Sequence, residues 1–97
     1  MKRKAWFVYM LECRGGRIYT GIAVDVAARF AKHRCGKGAA FTRMHPPRRI
    51  LGLRRCQGRS EALKAEYALK QLDPAEKRAW ARKRAVRSGA RGPGPKA

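Results

Sequence analysis

Trp6-Phe-Val-Tyr-Met-Leu-Glu-Cys-Arg-Gly-Gly-Arg-Ile-Tyr-Thr-Gly21 is the stretch of sequence that decides the fold of this chain. Two short runs rich in β-branched and aromatic residues lie on either side of Arg14-Gly15-Gly16. Such runs around a glycine-containing turn predict a β-hairpin. Each predicted strand carries one tyrosine, Tyr9 and Tyr19, so the geometry of the turn decides whether the two phenols meet.

The length of the turn sets the relation between the two tyrosines. A two-residue loop would pair Arg14 with Arg17 and send the rings to opposite faces, because side chains alternate along a strand. A three-residue loop, with Gly16 in the left-handed position of a bulge, pairs Cys13 with Arg17 instead. The tyrosines then become diagonal neighbours on one face, about 7–8 Å apart at the backbone. We predict the three-residue loop.

Length and composition indicate one small domain with a polyanionic partner. The chain has 97 residues and a formal net charge of +19, with an isoelectric point near 11.4. We predict one domain over residues 1–87, followed by a disordered basic tail rich in glycine and proline at 88–97. A charge of this size favours nucleic acid as the partner.

The same composition argues against several other classes of protein. No apolar run approaches the roughly 20 residues that a membrane-spanning helix needs, and the basic start of the chain lacks the apolar core of a signal peptide. The three cysteines are well separated and form no C-x-x-C pair, which disfavours a disulfide framework or a zinc site. We therefore predict a cytoplasmic protein with no membrane partner and no obligatory protein partner.

After the hairpin, the sequence predicts three helices and one further strand. Asp25 can cap a helix that begins at Val26 and stops at Gly36. Arg29 and His33 lie on one face of this helix because they are four residues apart. The later elements are a small-residue basic loop over 36–43, a strand over 48–56, a helix capped by Ser60 that runs to about Leu72, and a helix that begins at Asp73-Pro74-Ala75-Glu76 and frays by Val86.

Glu66 is the acidic residue that needs a special explanation. Four other acids lie at predicted helix N-termini, where a capping or dipole role suffices, and Glu12 points away from the tyrosine face. Glu66 instead interrupts the apolar stripe of its helix, where a carboxylate is costly to bury without a charged partner. Two explanations are open: an ion pair with one of the many arginines, or a ligand for one divalent cation. A single available carboxylate disfavours a two-metal site.

These residues together resemble the GIY-YIG nuclease family. Phe7-Val8-Tyr9 stands where the first triplet of that family falls, and Tyr19-Thr20-Gly21 stands at the second. The helix with an arginine and a histidine, the Gly-Lys-Gly loop and a late helix containing Glu66 follow in the order of the family. The resemblance covers roughly Trp6 to Trp80, and it is greatest to the small stand-alone bacterial members.

The resemblance implies an α/β (α+β) sandwich, in which a small three-stranded antiparallel sheet is flanked by helices. It also implies a metal-dependent endonuclease that uses one Mg²⁺ or Mn²⁺ and acts on DNA, with RNA as the second choice. Tyr9 would be the general base or position the attacking water, and Tyr19 would be its partner. Arg29 would hold the scissile phosphate, His33 would assist proton transfer, and Glu66 would hold the metal.

The implied chemistry makes a demand on the ionisation of Tyr9. A tyrosine with a pKa near about 10 is a poor base at neutral pH. We expect Arg29, a metal on Glu66 and the positive field of the chain to stabilise the phenolate and so to lower the pKa of Tyr9.

Nucleic-acid contacts are predicted on the first helix, in the loop that follows it and on the last helix. These predicted contacts are Lys32, Lys37, Thr42, Arg43, Lys77 and Arg78. The sequence contains no zinc-finger pattern and no cluster of amide side chains for reading bases. Recognition by shape and by the charge of the phosphate backbone is therefore expected.

Each of these predictions has a plainer alternative. Tyr9 and Tyr19 are also ordinary strand residues, since tyrosine favours sheets, and His33 taken alone is a partly exposed helix histidine. For the whole protein, the rival function is a catalytically inactive, basic nucleic-acid-binding module. A third alternative is a structural protein associated with RNA, in which Glu66 binds no metal.

Overall fold

A computed structural model describes residues 5–85. Its elements in chain order are β1 (Trp6–Cys13), β2 (Ile18–Ala23), α1 (Val26–Arg34), α2 (Ala40–Met44), β3 (Pro47–Cys56), α3 (Arg59–Lys70) and α4 (Pro74–Lys83), with a 3₁₀ turn at Arg14–Gly16. The predicted tail at 88–97, the domain end at residue 87 and the fraying at Val86 lie outside these residues. None of the helices within 5–85 is long and apolar enough to cross a membrane.

The three strands form one antiparallel sheet in the order β2-β1-β3. Because side chains alternate along the central strand β1, its residues belong to two separate layers of core. Val8 and Met10 pack with residues of α3 and α4 on one face, and Tyr9 and Leu11 pack with residues of α1 on the other. This architecture confirms the predicted three-stranded antiparallel sheet flanked by helices.

The hairpin has the three-residue turn that the sequence predicts. The backbone N–H of Cys13 donates to the carbonyl of Arg17 at 2.7 Å. Gly16 has a φ of +76°, the left-handed conformation that this bulge requires. In the resulting register Leu11 lies opposite Tyr19 and Tyr9 lies opposite Gly21, so both phenols face the α1 side of the sheet.

Local capping signals predict two helix starts correctly. At the start of α1, the side chain of Asp25 accepts a hydrogen bond from the N–H of Ala28 at 3.0 Å. At the start of α4, Asp73 and Glu76 exchange side chain to backbone hydrogen bonds of 2.8 and 2.9 Å, which make a complete capping box. Both signals are encoded within four residues, so they need no help from the rest of the fold.

Two predictions of local structure are wrong. The segment 36–43, predicted to be a loop, contains the start of α2, because the N–H groups of Thr42 and Arg43 both donate to the carbonyl of Ala39. Ser60 does not cap α3, which begins one residue earlier and has Gly58 at its N-cap. The carboxylate of Glu61 accepts from the N–H of Gln57 at 3.2 Å and serves that end of the helix instead.

Candidate active site

A cleft of about 390 Å³ opens beside the edge strand β2. The five predicted catalytic residues all line it: Tyr9, Tyr19, Arg29, His33 and Glu66. They come from four elements that are distant in the sequence, since β1 and β2 supply the tyrosines, α1 supplies the arginine and histidine, and α3 supplies the glutamate. The fold therefore brings together all the residues that the resemblance singles out for chemistry.

Gly21 makes room for the two phenols on β1 and β2. A Cβ atom at this position would lie 2.7 Å from the hydroxyl oxygen of Tyr9 and 2.9 Å from the ring of Tyr19. Any side chain larger than hydrogen would push at least one ring away. With glycine there, the two ring centroids lie 6.4 Å apart and the Tyr19 ring lies 5.0 Å from that of His33.

Hydrogen bonds connect Tyr9 to the interior of the protein. The hydroxyl oxygen of Tyr9 and Nε2 of His33 are 3.0 Å apart, and Nδ1 of His33 and Oγ1 of Thr42 are 2.8 Å apart. The hydroxyl of Thr42 donates in turn to the carbonyl of Ala39 at 2.9 Å. Tyr9, His33 and Thr42 are all buried, so the plainer interpretation of His33 as a partly exposed helix histidine is wrong.

The ionisation of Tyr9 differs from the sequence-based expectation. Burial raises the pKa of Tyr9 above its ordinary value, and the neighbouring Tyr19 and Glu66 raise it further. Arg29 lowers the pKa, as expected, but it does not offset the loss of hydration. Tyr9 is therefore a neutral phenol at neutral pH, and it can act as a base only by handing its own proton to another group.

His33 is placed to receive that proton. Burial lowers the pKa of its imidazole, and the nearby guanidinium of Arg29 lowers it further. Because its ordinary pKa is 6.5, His33 is neutral at and above neutral pH and keeps one unprotonated ring nitrogen.

Glu66 lines the cleft from α3 with a half-buried side chain. Its carboxylate accepts an ion pair from Lys70, one helical turn further along α3, at 3.1 Å. The partner is thus a lysine and not one of the arginines proposed from the sequence. An i,i+4 pair of this kind contributes only about 0.3–0.5 kcal/mol, so it leaves Glu66 available to a stronger cation.

The donor set in the cleft fits a single hard cation. No group of three or more histidine, cysteine or acidic side chains gathers at one point within residues 5–85. Mg²⁺ is commonly bound through one or two carboxylates, with water and substrate phosphate oxygens completing its coordination. One carboxylate in an open cleft fits that pattern, whereas it would not fit a two-metal site.

The predicted nucleic-acid contacts divide into two groups. Lys37 lines the cleft, Lys32 lines an adjoining hollow next to Arg29, and Arg43 is exposed on α2. Lys77 lines two further hollows that run along β2 from Tyr19 towards the hairpin turn. The role of these four cations in binding nucleic acid stays a prediction.

Two of the predicted contacts have other partners. The side chain of Thr42 is 1% exposed and its hydroxyl is held by His33 and Ala39, so it cannot reach a phosphate. The guanidinium of Arg78 donates to the carbonyl of Gly16 at 2.7 Å and to the carboxylate of Glu12 at 3.4 Å. The prediction of Thr42 as a nucleic-acid contact is corrected because its side chain is buried, whereas Arg78, whose side chain is 35% exposed, stays a prediction.

This chain is similar in sequence to known proteins. Residues 5–79 match the GIY-YIG catalytic domain. A UPF0213 protein of Cupriavidus pinatubonensis is 52% identical over 80 residues, which cover 82% of this chain and 89% of that protein. A UPF0213 protein of Cupriavidus necator is 55% identical over 76 residues, which cover 78% of this chain and 83% of that protein.

A solved structure gives the comparison in three dimensions. The solution NMR structure of a UPF0213 protein from Bacillus halodurans is similar with a TM-score of 0.56 and 33% sequence identity, covering 91% of this chain and 94% of that one. Residues 5–79, which match the family, contain the three strands and the helices that supply the cleft. The chain belongs to the GIY-YIG family.

Proposed function

We propose that this protein is an endonuclease that hydrolyses phosphodiester bonds in nucleic acid with the help of one divalent cation, Mg²⁺ or Mn²⁺. The observation that carries the proposal is the convergence of two phenols, an imidazole, a guanidinium and a single carboxylate on one cleft. In a chain of net charge +19, such a cleft suits a substrate whose backbone is anionic.

Arg29 and Glu66 are assigned to the phosphate and the metal. A guanidinium offers planar, bidentate donors that match two phosphate oxygens better than a lysine would. Glu66 would hold the cation, which as a Lewis acid stabilises charge that develops on the phosphoryl oxygens. Both groups line the same cleft, which supports a single phosphate site served by both.

Tyr9 and His33 are assigned to the attacking water. Tyr9 is a neutral phenol, but it lies 3.0 Å from a neutral imidazole that can accept its proton. Tyr19 packs 5.0 Å from the imidazole and limits how that ring can tilt. General base catalysis of this type contributes on the order of 10²- to 10⁴-fold in rate.

The hollows beside the cleft support a path for the substrate along β2. Lys32 lines the hollow at one side of the cleft, and Lys70 and Lys77 line the hollow at the other, next to the exposed ring of Phe41. A strand in this path would meet cations on both sides of the scissile phosphate. DNA is the proposed substrate, with RNA as the alternative.

The free thiols support the proposed compartment. All three cysteines, Cys13, Cys35 and Cys56, are unpaired, and two of them are buried. Unpaired cysteines persist in a reducing environment, so we keep the proposal that the protein acts in the cytoplasm.

A cleavage assay tests the proposal and separates it from the rival binding module. Branched, single-stranded and duplex substrates are incubated with Mg²⁺ or Mn²⁺ and the wild-type protein, Glu66→Gln or Glu61→Gln. Glu61 is a matched control, because it lies on the same helix and pairs with Arg54 outside the cleft. We expect cutting by the wild type and Glu61→Gln only.

Other results would decide against parts of the proposal. Equal cutting by Glu66→Gln would remove Glu66 from the reaction. Salt-dependent binding by the wild type, with no metal-dependent product on any substrate, would favour the catalytically inactive binding module.

A further inference from the structure

The buried hydrogen bonds behind Tyr9 determine where the protons lie. Tyr9, His33 and Thr42 form a chain with successive separations of 3.0 and 2.8 Å, and Thr42 continues it to the carbonyl of Ala39 at 2.9 Å. All three side chains are at most 2% exposed. Buried polar groups are normally hydrogen-bonded, so each group in this series must donate or accept with the protons that it and its neighbours carry.

The proton count begins at the carbonyl of Ala39. A backbone carbonyl oxygen carries no proton, so the hydroxyl of Thr42 must donate to it. Oγ1 of Thr42 then has only lone pairs left for His33, and the proton between them must belong to Nδ1. A neutral imidazole has one such proton, so Nε2 is unprotonated and accepts the hydroxyl proton of Tyr9.

The opposite arrangement is unfavourable. If the hydroxyl of Thr42 donated to Nδ1, its oxygen and that of the Ala39 carbonyl would lie 2.9 Å apart with no proton between them. The N–H groups of Thr42 and Arg43 also donate to that carbonyl, but the lone pairs of the two oxygens would still face each other beside the buried side chain of Thr42. Such a contact is repulsive, and more so in surroundings of low dielectric.

We propose that Thr42 is a positioning residue for the proposed hydrolysis, because it holds His33 as the Nδ1–H tautomer with Nε2 free to receive the proton of Tyr9. The inference rests on the proposed function, and it extends the site by a residue that does not touch the substrate. It also assigns a direction to the hydrogen bonds: each group donates to the next one, from Tyr9 through His33 and Thr42 to the carbonyl of Ala39.

The proposed proton transfers balance. The attacking water gives a proton to the oxygen of Tyr9 while Tyr9 gives its own proton to Nε2 of His33. A lone pair of the water oxygen forms the new P–O bond, and the electron pair of the broken O–H bond stays on that oxygen. The P–O bond to the leaving oxygen breaks with its electron pair, and the imidazolium later returns the proton to that oxygen or to solvent.

The tautomer decides which role Tyr9 can play. With Nε2 unprotonated, the lone pairs of the phenol face the cleft and can accept a proton from water. With a proton on Nε2, the phenol would be an acceptor from His33 and would present its own O–H to the substrate. The bond from Nδ1 to Thr42 is the same in the imidazole and the imidazolium, so no rearrangement accompanies the transfer.

NMR of the histidine ring nitrogens tests the tautomer directly, on the wild-type protein without nucleic acid or metal. The chain has two histidines, and a His45→Gln variant assigns the signals of His33. We expect an unprotonated, pyridine-type signal for Nε2 and a protonated, pyrrole-type signal for Nδ1. The reverse pattern would overturn the inference without needing any variant of Thr42.

Thr42→Val and Thr42→Ser form a matched pair for the positioning role. Serine keeps the hydroxyl, so we expect the wild-type tautomer and a rate within about threefold of wild type. Valine keeps the shape but offers Nδ1 no acceptor, so we expect mixed-tautomer signals and a loss in kcat of up to about 100-fold with KM unchanged. Urea unfolding shows whether the compared proteins are folded.

The outcomes separate this inference from the proposed function. A valine variant with wild-type signals and wild-type kcat would overturn the role of Thr42 while leaving the nuclease proposal in place. The Nδ1–H tautomer in a protein that cuts no substrate would overturn the nuclease proposal and support the positioning of His33 by Thr42.

Discussion

Tyr9 lines the cleft that is proposed to bind a cation and an anion, yet the residue is only 1% exposed to solvent. Its side chain belongs to the core cluster that packs against α1, and it also lines the cleft. Loss of hydration disfavours the phenolate more than Arg29 favours it. The chemistry of this residue thus depends on a proton acceptor behind it rather than on cations in front of it.

An alkaline titration tests this view of Tyr9. In the folded protein one of the three tyrosines should ionise well above the ordinary value of 10.0. The unfolded chain releases this proton near pH 10.0. The contribution of Tyr9 to the free energy of unfolding is therefore complete below that pH, and it is lost as the pH rises towards the pKa of the folded state. Near-ultraviolet absorbance measures the ionisation, and urea unfolding measures the stability.

Two variants identify the residue in that titration. Tyr9→Phe should remove the late ionisation, and Tyr67→Phe, at an exposed position, should leave it in place. A late ionisation that survives in Tyr9→Phe would show that burial does not hold the proton on Tyr9.

The residues that line the candidate site were predicted from the sequence, but their surroundings were not. The turn chemistry of Gly15-Gly16 sets the register that puts both tyrosines on one face, and that signal is local. Thr42 was missed as a partner of His33 because α2 has five residues and no side-chain cap. A single turn held by backbone bonds to Ala39 leaves no periodic pattern to recognise.

At the scale of elements, a network around Glu12 fixes α4 to the hairpin. Arg78 on α4 donates to Glu12 on β1 at 3.4 Å and to the carbonyl of Gly16 in the turn at 2.7 Å, and Arg49 on β3 donates to the other carboxylate oxygen at 2.8 Å. The carboxylate on β1 thus joins β3 and α4, and Arg78 extends the network to the turn. The sequence predicts that Glu12 points away from the tyrosines, but its partners are 37 and 66 residues distant and have no local signal.

The pH dependence of stability tests this network. The hydrogen bond from Arg49 lowers the pKa of Glu12 below its ordinary value of 4.5, and Arg78 lowers it further. The contribution of the Glu12 carboxylate to the free energy of unfolding is therefore present above pH 4.5, and it is lost as the pH falls through the pKa of the folded state. Since Arg49 is largely exposed, we expect Glu12→Gln to cost no more than about 1 kcal/mol near neutral pH.

Urea unfolding at neutral and at acidic pH measures this difference. The deficit of Glu12→Gln should disappear well below pH 4.5, where the wild-type carboxyl is also uncharged. Glu61→Gln serves as the comparison, because it breaks an exposed ion pair between α3 and Arg54 of β3. This variant should lower the free energy of unfolding by less than Glu12→Gln does. A deficit of Glu12→Gln that is the same at both pH values would mean that packing, and not charge, fixes α4 to the hairpin.

At the scale of the whole molecule, almost all of the few acidic side chains have a structural role in ion pairs with arginine or at helix ends. Two of the six acids pair with arginines, three cap helices or complete a cap, and Glu66 alone faces the cleft. The arginines and lysines far outnumber them, so a positive field surrounds the molecule with one carboxylate at the site of proposed chemistry. This arrangement attracts a polyanion broadly and reserves Glu66 for the cation that the reaction needs.

Salt dependence distinguishes attraction by the general field from contact along the path proposed beside β2. Each phosphate that the protein neutralises adds about −0.9 to the slope of log binding constant against log salt concentration. Lys77 lines two of the hollows on that path, whereas Lys64 is exposed on α3 two residues from Glu66 and so points away from it. Lys77→Gln should therefore flatten the slope by about one unit, and Lys64→Gln should change it far less, although both variants lose the same charge.

Fluorescence anisotropy with a labelled oligonucleotide over a range of salt concentrations measures both slopes. Equal changes in the two variants would mean that net charge alone draws the substrate and that β2 does not guide it, because beyond a Debye length of about 8–10 Å the position of a single lysine ceases to matter.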